Sequence, residues 1–236
     1  MNNYFKRLYD KGQQAFYDLI ETKLKKGDKI FVVTANPETF IYGEKDNEFN
    51  TLLLDKNTTL IPDGIGIVKA SQILNYNIKE RITGIDLAVK LLEICNEEKY
   101  SLALLGASEE VLKKMVNVIG EKYPHIRLIK AENGYIEDKD RFFQEIAKSQ
   151  PDVCLVALGI PAQEKLIYKH IKNMKKGIFV GVGGSFDVIS GTKKRAPKIF
   201  QKMNIEWLYR IIKEPKRIKR FYNNNIKFIL KIKKYK

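Results

Sequence analysis

The stretch Thr58–Ala70, TTLIPDGIGIVKA, contains a strand, a turn and the start of a helix. Thr58–Ile61 is short and β-branched, a Pro-Asp-Gly turn follows it, and Ile65–Leu74 has apolar residues at helical spacing. A carboxylate that follows a strand in this way lies where ligands bind in open α/β sheets. The same position would let Asp63 cap the following helix, so catalysis and capping both stay open.

The strand–turn–helix unit of this stretch recurs along the chain. Lys29–Thr34 predicts a buried strand, and Pro37 occupies the favoured first position of the helix after it. Further strands are predicted at Ser101–Leu105, Ile126–Lys130, Asp152–Leu158 and Gly177–Val182, with helices between them. This alternation predicts an α/β fold with a Rossmann-like, mostly parallel sheet and helices on both faces. Residues 1–28 are predicted to be helical.

Composition favours a protein of the cytoplasm. A chain of 236 residues with 44% hydrophobic residues can bury a core. Cys95 and Cys154 lie in apolar segments and form no Cys-x-x-Cys pair, so buried free thiols are expected. The first residues carry no apolar signal core, and the apolar runs are too short to cross a bilayer.

Positive charge is concentrated at the end of the chain. Residues 193–236 hold 16 Lys and Arg against two acids, a net of +14, whereas residues 1–192 hold 27 against 26, a net of +1. We therefore expect an α/β catalytic domain, 1–192, and a cationic appendage, 193–236. Apolar residues recur in the appendage every three or four positions, which predicts amphipathic helices broken near Pro215. Such a charge implies an anionic partner, either nucleic acid or a membrane surface.

The aromatic residues of the appendage favour the membrane. They include Trp207, Tyr209, Phe221 and Tyr222. Trp and Tyr are enriched at membrane–water interfaces, so we expect peripheral association with the inner face of the plasma membrane. Alternatively, the apolar stripe of the appendage docks on residues 1–192, called the body below, or on a second subunit. A homo-oligomer away from the membrane would then hide the stripe.

Several catalytic classes find no support in the sequence. His125 and His170 are too few for a His-based triad or zinc site, and we expect both to be structural or exposed. The chain has neither a G-x-G-x-x-G after its first strand nor a G-x-x-x-x-G-K-[ST], which argues against dinucleotide and P-loop binding. Asp138-Lys139-Asp140 formally matches a D-x-D metal motif, but its place before a helix favours capping.

Polar residues and glycines collect where the predicted strands end. They are Thr34, Asn36, Asp63, Gln163, Gly106, Gly134, Gly159 and Gly183. The carboxyl ends of parallel strands share one edge of a sheet, which is where ligands bind. Neutral hydrogen-bonding groups and accessible backbone suit a polyhydroxylated ligand that carries a phosphate. The residues alone indicate an α/β enzyme with a nucleotide-like or sugar-like ligand.

Nine short motifs run in order along residues 29–222. They are TANPE (34–38), PDGIGIV (62–68), RITGIDL (81–87), LLGAS (104–108), NGY (133–135), LGIPAQE (158–164), GVGGSFDVISG (181–191), RAP (195–197) and IEWLYRIIKEPKRIKR (205–220). In this order they resemble the WecG/TagA/CpsF family of bacterial glycosyltransferases. The first 14 residues depart from that family, whose members open with a short strand and an acidic, Thr-containing turn.

The resemblance implies an inverting transferase that uses no metal and no cofactor. Its donor would be a UDP-sugar and its acceptor a sugar linked to undecaprenyl diphosphate. In the TagA branch the donor is UDP-N-acetylmannosamine, the acceptor is lipid-linked GlcNAc and the product is the teichoic acid linkage unit. Other members transfer N-acetylmannosaminuronic acid or other hexoses, and that alternative stays open.

The resemblance also assigns roles to residues. Asp63 would be the general base, and Arg81 would bind near Asp63 or the diphosphate. The residues expected to bind substrate are Thr34, Asn36, Gln163, Gly106, Gly134, Tyr135, Gly159 and Gly183. Those expected to close the site and neutralise the departing UDP are Arg210, Arg217 and Arg220.

Two further classes of function remain as alternatives. One is a nucleic-acid-binding protein with a basic tail, although the body lacks the basic and aromatic face that this role needs. The other is a structural subunit without activity, against which the presence of Asp63, Asn36 and Arg81 argues.

Overall fold

The computed structural model describes residues 1–233, without the side chains of Arg217, Arg220 and Lys233. Within this part of the chain one six-stranded sheet is formed, and all its strands are parallel. The strands are β1 (Lys29–Ala35), β2 (Thr58–Pro62), β3 (Ser101–Gly106), β4 (Arg127–Glu132), β5 (Val153–Ala157) and β6 (Gly177–Gly181). Their order across the sheet is β2-β1-β6-β5-β3-β4, and every predicted strand is confirmed.

Helices cover both faces of the sheet, as the alternation predicts. In chain order they are α1 (Asn2–Phe5), α2 (Gln13–Lys26), α3 (Pro37–Lys45), α4 (Asn47–Leu54), α5 (Ile65–Ile73), α6 (Gly84–Glu97), α7 (Glu109–Lys122), α8 (Lys139–Ser149), α9 (Ala162–His170), α10 (Ser185–Ile189), α11 (Lys198–Lys202), α12 (Glu206–Lys213), α13 (Arg217–Phe221) and α14 (Lys227–Lys233). Helices α2, α6, α7 and α10 share one core with the sheet, and α3, α4, α5, α8, α9 and α14 share the other. The Rossmann-like α/β prediction is therefore confirmed.

The composition of the strands follows from their position in the sheet. β3 and β5 are buried along their whole length, and both consist almost entirely of apolar or small residues. Inner strands of a parallel sheet are covered on both faces, which removes the need for polar alternation. β4 lies at an edge, and its sequence RLIKAE includes charged residues that remain partly or fully exposed. Cys95 and Cys154 are buried free thiols, as expected.

The N-terminal segment differs from the single helical stretch that we expect. After α1 the chain makes a turn at residues 6 and 7, and Leu8 then pairs with Leu60 in one parallel bridge. The backbone N–H of Tyr9 donates to the carbonyl of Leu60 at 2.8 Å, so this segment satisfies part of the open edge of β2. Gly12 has a φ of +92° and begins α2. The prediction for residues 1–28 is wrong here because an unpaired strand edge outweighs local helical spacing.

The appendage docks on the body by part of its surface. Phe228 and Ile232 of α14 are buried, and the Phe228 ring lies 6.3 Å from that of Phe40 in α3. The expected break near Pro215 separates α12 from α13. A π-helical turn, residues 222–226, joins α13 to α14. Docking on the body is thus confirmed for one side of α14.

Other apolar residues of the appendage face solvent. Ile212 and Ile218 are each 61% exposed, Leu230 is 54% exposed, and the Trp207 ring stacks on Phe221 at a centroid distance of 4.2 Å. No helix in residues 1–233 is both long enough and apolar enough to cross a bilayer.

Candidate active site

Asp63 lies directly after β2, at the carboxyl edge of the sheet. Its backbone N–H donates to the carbonyl of Ala35 at 2.8 Å, and the N–H of Ile82 donates to the carbonyl of Pro62 at 2.7 Å. Segments on both sides therefore fix the backbone at Asp63. Gly64, with a φ of +90°, is the N-cap of α5, and no described side chain caps that helix. The alternative that Asp63 caps α5 is wrong.

The ionisation of Asp63 is influenced in opposite directions. Burial is the largest influence and raises the pKa of Asp63 to about 6. The positive charges of Arg210 and then Arg81 act to lower this pKa, the negative charge of Glu206 acts to raise it, and the backbone N–H of Gly84 lowers it as a hydrogen-bond donor. The side chain is still partly exposed, so a substrate can reach it. A carboxylate that ionises near neutral pH is suited to accept a proton from a bound hydroxyl.

Beside Asp63, a chain of ion pairs joins the body to the appendage. Arg81 donates from Nη1 to Glu206 Oε2 at 2.8 Å and from Nη2 to the carbonyl of Gln201 at 3.1 Å. Arg195 pairs with Asp86 at 2.6 Å, and its Nε lies 3.5 Å from Glu206 Oε1. Glu206, at the start of α12, is only 7% exposed. Arg81 therefore places the appendage next to Asp63.

Two residues of this chain of ion pairs, Glu206 and Arg195, were not among the predicted site residues. A signal was present, because Glu206 is one of two acids among 16 basic residues in the appendage. An isolated acid in such a segment indicates a specific basic partner.

The three arginines expected to neutralise the departing UDP differ in how much of each the structure describes. Arg210 of α12 is exposed and close enough to Asp63 to influence its ionisation. Arg217 and Arg220 belong to α13, but their side chains lie outside the described residues.

Thr34 and Asn36 occupy the end of β1, where each has a local structural role. Thr34 is buried and donates from Oγ1 to the carbonyl of Gly181, at the end of β6, at 3.2 Å. Asn36 is the N-cap of α3, and its Oδ1 accepts from the N–H of Thr39 at 3.1 Å. Pro37 occupies the first position of α3, as predicted. Both side chains lie at the carboxyl edge near Asp63, and the role in sugar binding stays a prediction.

Gln163 connects the loops that follow β5 and β6. It is 1% exposed, and its Oε1 accepts from the N–H groups of Gly159 and Gly183, each at 3.0 Å. Its Nε2 donates to Glu164 Oε1 at 2.7 Å. A Cβ at Gly181 would lie 2.6 Å from the Gln163 amide, which explains the glycine there.

The remaining glycines bring the loops after β3, β4 and β5 into contact. A Cβ at Gly106, whose φ is +131°, would lie 2.4 Å from the carbonyl oxygen of Ala157. The N–H of Gly134 donates to the carbonyl of Ala107 at 2.8 Å. The next side chain, Tyr135, is 81% exposed above this contact.

The predicted site residues thus form two groups along one edge of the sheet. Asp63, Arg81 and Arg210 lie at the end of β2, whereas Gly106, Gly134, Tyr135, Gly159, Gly183 and Gln163 surround the ends of β3, β5 and β6. Three strand spacings separate β2 from β5, which is about 14 Å. The chain leaves β3 toward β4 and leaves β5 in the opposite direction toward β6. Such a reversal is where open α/β sheets bind ligands.

The Asp138-Lys139-Asp140 triplet is structural, as predicted. Asp138 is the N-cap of α8 and accepts from the N–H of Arg141 at 2.9 Å. Asp140 bonds Lys169 at 2.8 Å and His170 at 2.5 Å. His170 also stacks on Phe143 at 5.1 Å and is 7% exposed, whereas His125 is exposed.

The fold and the site define the class as an α/β enzyme in which arginines lie beside Asp63, a partly exposed residue whose carboxyl has a near-neutral pKa. The family model of the glycosyl transferase WecG/TagA/CpsF family matches residues 5–236, and the chain belongs to this family.

Curated relatives point to the same family. The chain is 39% identical over 189 residues to the N-acetylglucosaminyldiphosphoundecaprenol N-acetyl-beta-D-mannosaminyltransferase of Bacillus subtilis strain 168, covering 80% of this chain and 73% of that protein. It is 35% identical over 199 residues to the protein of the same name from Bacillus spizizenii, covering 84% and 77%. It is 37% identical over 210 residues to that of Staphylococcus aureus strain MW2, covering 89% and 82%.

Proposed function

We propose that this chain transfers N-acetylmannosamine from UDP-N-acetylmannosamine to GlcNAc linked to undecaprenyl diphosphate. The observation that carries the proposal is Asp63, a partly exposed residue at the carboxyl edge whose carboxyl has a pKa raised to about 6 and is influenced by the positive charges of Arg210 and Arg81. The names of the relatives supply the sugar and the acceptor.

The proposed step is a single displacement with inversion. Asp63 takes the proton from the acceptor hydroxyl, and the oxygen attacks the anomeric carbon of the donor. The bond from that carbon to the phosphate oxygen breaks, and UDP leaves with the electron pair. Arg81 and Arg210 compensate the negative charge, since guanidinium groups bind phosphate oxygens in pairs without a metal. Arg217 and Arg220 of α13 are proposed to contribute to the same compensation of negative charge.

The two groups of site residues suit the two ends of an extended donor. We place the nucleoside and the adjoining part of the diphosphate against the glycine loops at β3, β5 and β6, with Tyr135 beside it, and the phosphate that carries the sugar toward Arg81 and Arg210. The sugar then lies toward Thr34, Asn36 and Asp63, where the acceptor arrives. The span of about 14 Å between the ends of β2 and β5 separates the base from the nucleoside along the same edge of the sheet.

We propose that the appendage, residues 193–236, holds the enzyme on the inner face of the membrane and completes the site of the domain 1–192. Its net charge of +14 and its solvent-facing Ile212, Ile218 and Leu230 support this, because anionic lipid attracts each basic residue by about 1 kcal/mol. Glu206 supports the second role, since it brings α12 to Arg81.

The experiment that tests the function measures UDP release from UDP-N-acetylmannosamine with a short-chain lipid-diphosphate-GlcNAc acceptor, with EDTA present. Turnover that requires both substrates is expected. Turnover only after metal is added would overturn metal independence. Turnover with another UDP-sugar, but not with UDP-N-acetylmannosamine, would overturn the proposed donor.

A further inference from the structure

Glu164 is a buried carboxyl group that the proposed mechanism does not use. It lies in the first turn of α9 and is 0% exposed. Its Oε1 accepts from Gln163 Nε2, while its Oε2 has no hydrogen-bond partner among the described residues. Burial raises the pKa of Glu164 to about 7, and the negative charge of Glu38 in α3 acts in the same direction. A buried carboxyl with one oxygen unpaired costs free energy, so stability alone does not explain its presence.

The orientation of the Gln163 amide depends on this carboxyl. Gln163 Oε1 accepts from two backbone N–H groups, those of Gly159 and Gly183. If the amide turned over, its NH2 group would face these two donors and both hydrogen bonds would be lost. Glu164 Oε1 accepts from Nε2 and, when ionised, could not bond the amide oxygen in its place. The two glycine N–H groups and the carboxyl therefore favour the same orientation, and the carboxyl is the partner that holds the Nε2 end of the amide in place.

The two glycines belong to loops that are open on the ligand side. Gly159 has a φ of +80° and Gly183 a φ of +51°, and a Cβ at either position would meet no atom within 4 Å. Gly159 follows β5 and Gly183 follows β6, and these strands are neighbours. The shared acceptor on Gln163 therefore sets the separation of two loops at the edge where we place the nucleoside diphosphate.

We propose that Glu164 is a positioning residue for the donor diphosphate, acting through the Gln163 amide on the loops of Gly159 and Gly183. This inference rests on the proposed function. Without the carboxyl the Nε2 end of the amide is buried and unpaired, so the amide shifts toward another acceptor and its hydrogen bonds to the two loops weaken. UDP affinity is then expected to fall about tenfold, which corresponds to the loss of one or two neutral hydrogen bonds.

The test compares UDP binding by calorimetry for the full chain and for Glu164→Leu, Glu164→Gln and Lys165→Met. Glu164→Leu is expected to weaken UDP binding about tenfold. Glu164→Gln keeps an acceptor oxygen for Gln163 Nε2, so its UDP affinity is expected to be close to that of the wild type. Lys165 is the next residue on α9 and pairs with Asp46 at 2.6 Å, so Lys165→Met is a matched control with unchanged binding. Selective ¹⁵N-glycine labelling provides a second measurement, in which the Gly159 and Gly183 amide signals shift in Glu164→Leu and return in Glu164→Gln.

Each outcome decides the inference. Wild-type affinity in folded Glu164→Leu would overturn it, as would glycine signals that do not move. Glu164→Gln binding as weakly as Glu164→Leu would also overturn it, because the hydrogen bond would then not be the cause. Above pH 7 ionisation of the buried carboxyl opposes folding, so Glu164→Leu, which removes the carboxyl, is expected to fold. If Glu164→Leu does not fold, Glu164→Met takes its place, because the Met side chain is unbranched and flexible. Absence of UDP binding by the wild type would instead count against the proposed function, and the glycine signals would still test the Glu164–Gln163 contact.

Discussion

At the scale of single residues, Asp63 is the side chain on which the proposed chemistry depends. Asp63→Asn removes the proton acceptor but keeps the size and the hydrogen-bonding shape of the side chain. We expect kcat to fall by about 10²–10⁴, the usual contribution of a general base, with UDP binding retained. UDP release and calorimetry measure the two effects. Asp10→Asn, at an exposed position distant in sequence, is the control, with activity expected to be unchanged. Equal activity in the wild type and in Asp63→Asn would exclude Asp63 as the general base.

The raised pKa of Asp63 predicts the pH dependence of the reaction. Only the ionised carboxylate can accept the proton, and burial raises its pKa to about 6. We therefore expect kcat/KM to be level above this pH and to fall about tenfold for each pH unit below it. A profile measured from pH 4.5 to 8.5 checks this. A rate that stays constant down to pH 4.5 would show that Asp63 has an ordinary pKa or is not the base.

The sequence predicted single residues unevenly. Asp63 could be placed because a Pro-Asp-Gly turn after a strand fixes where a carboxylate lies. The pairing of Arg81 with Glu206 could not be predicted, because the two residues are 125 positions apart and the sequence does not show which acid meets which base. Gln163 was predicted to position the sugar, yet its buried amide already serves two loops.

At the scale of elements, the Arg81–Glu206 pair is the contact that connects α12 to the body. Its side chains are 18% and 9% exposed, so removing one partner leaves a poorly solvated charge. We expect Glu206→Gln to destabilise the fold by about 2–4 kcal/mol, slightly less than the about 3–5 kcal/mol lost when one partner of a fully buried pair is removed. Urea unfolding measures this, and a double-mutant cycle with Arg81→Met isolates the pair. Additive effects in that cycle would mean that the two side chains do not interact.

The docking of α14 makes a second prediction at this scale. Phe228 is 1% exposed and Leu230, two residues later on the same helix, is 54% exposed. Phe228→Ala leaves a cavity beside Phe40 and is expected to speed proteolysis of the last residues at least several-fold. Leu230→Ala is the matched control with no change. Equal cleavage of both variants would show that α14 is not held by its apolar side.

Helices and strands were predicted well where the local sequence pattern and the tertiary contacts favour the same structure. The inner strands are runs of apolar residues between glycines and polar turns, and each was located within about two residues. The N-terminal segment failed because pairing of Leu8 with Leu60 is a tertiary effect. The π-helical turn at residues 222–226 has no sequence pattern of its own that periodicity can detect.

At the scale of the whole molecule, the distribution of charge and exposed apolar residues predicts membrane binding. Trp207 is the single tryptophan of the chain and is 36% exposed in the appendage. We expect its fluorescence to shift to the blue with phosphatidylglycerol vesicles and to stay unchanged with phosphatidylcholine vesicles. Replacing Lys213, Lys216 and Lys219 by glutamine should weaken binding by about 3 kcal/mol. Equal binding to both vesicles, or equal binding by the variant, would contradict electrostatic attraction.

The general architecture was predictable, but the order of the strands was not. Alternating strands and helices require a parallel sheet, and the shift in charge at residue 193 marks the appendage. Nothing local places β6 between β1 and β5, because that choice depends on which apolar faces meet after the chain collapses.

The central position of β6 has a consequence for how the protein is made. β1 and β2 form one pair, β5, β3 and β4 form another set, and β6 alone pairs with both. A ribosome must therefore synthesise residues 1–176 before it reaches the strand that joins the two halves. Until then the inner edges of β1 and β5 carry free backbone groups, so a nascent chain stalled before residue 177 is the form most exposed to aggregation.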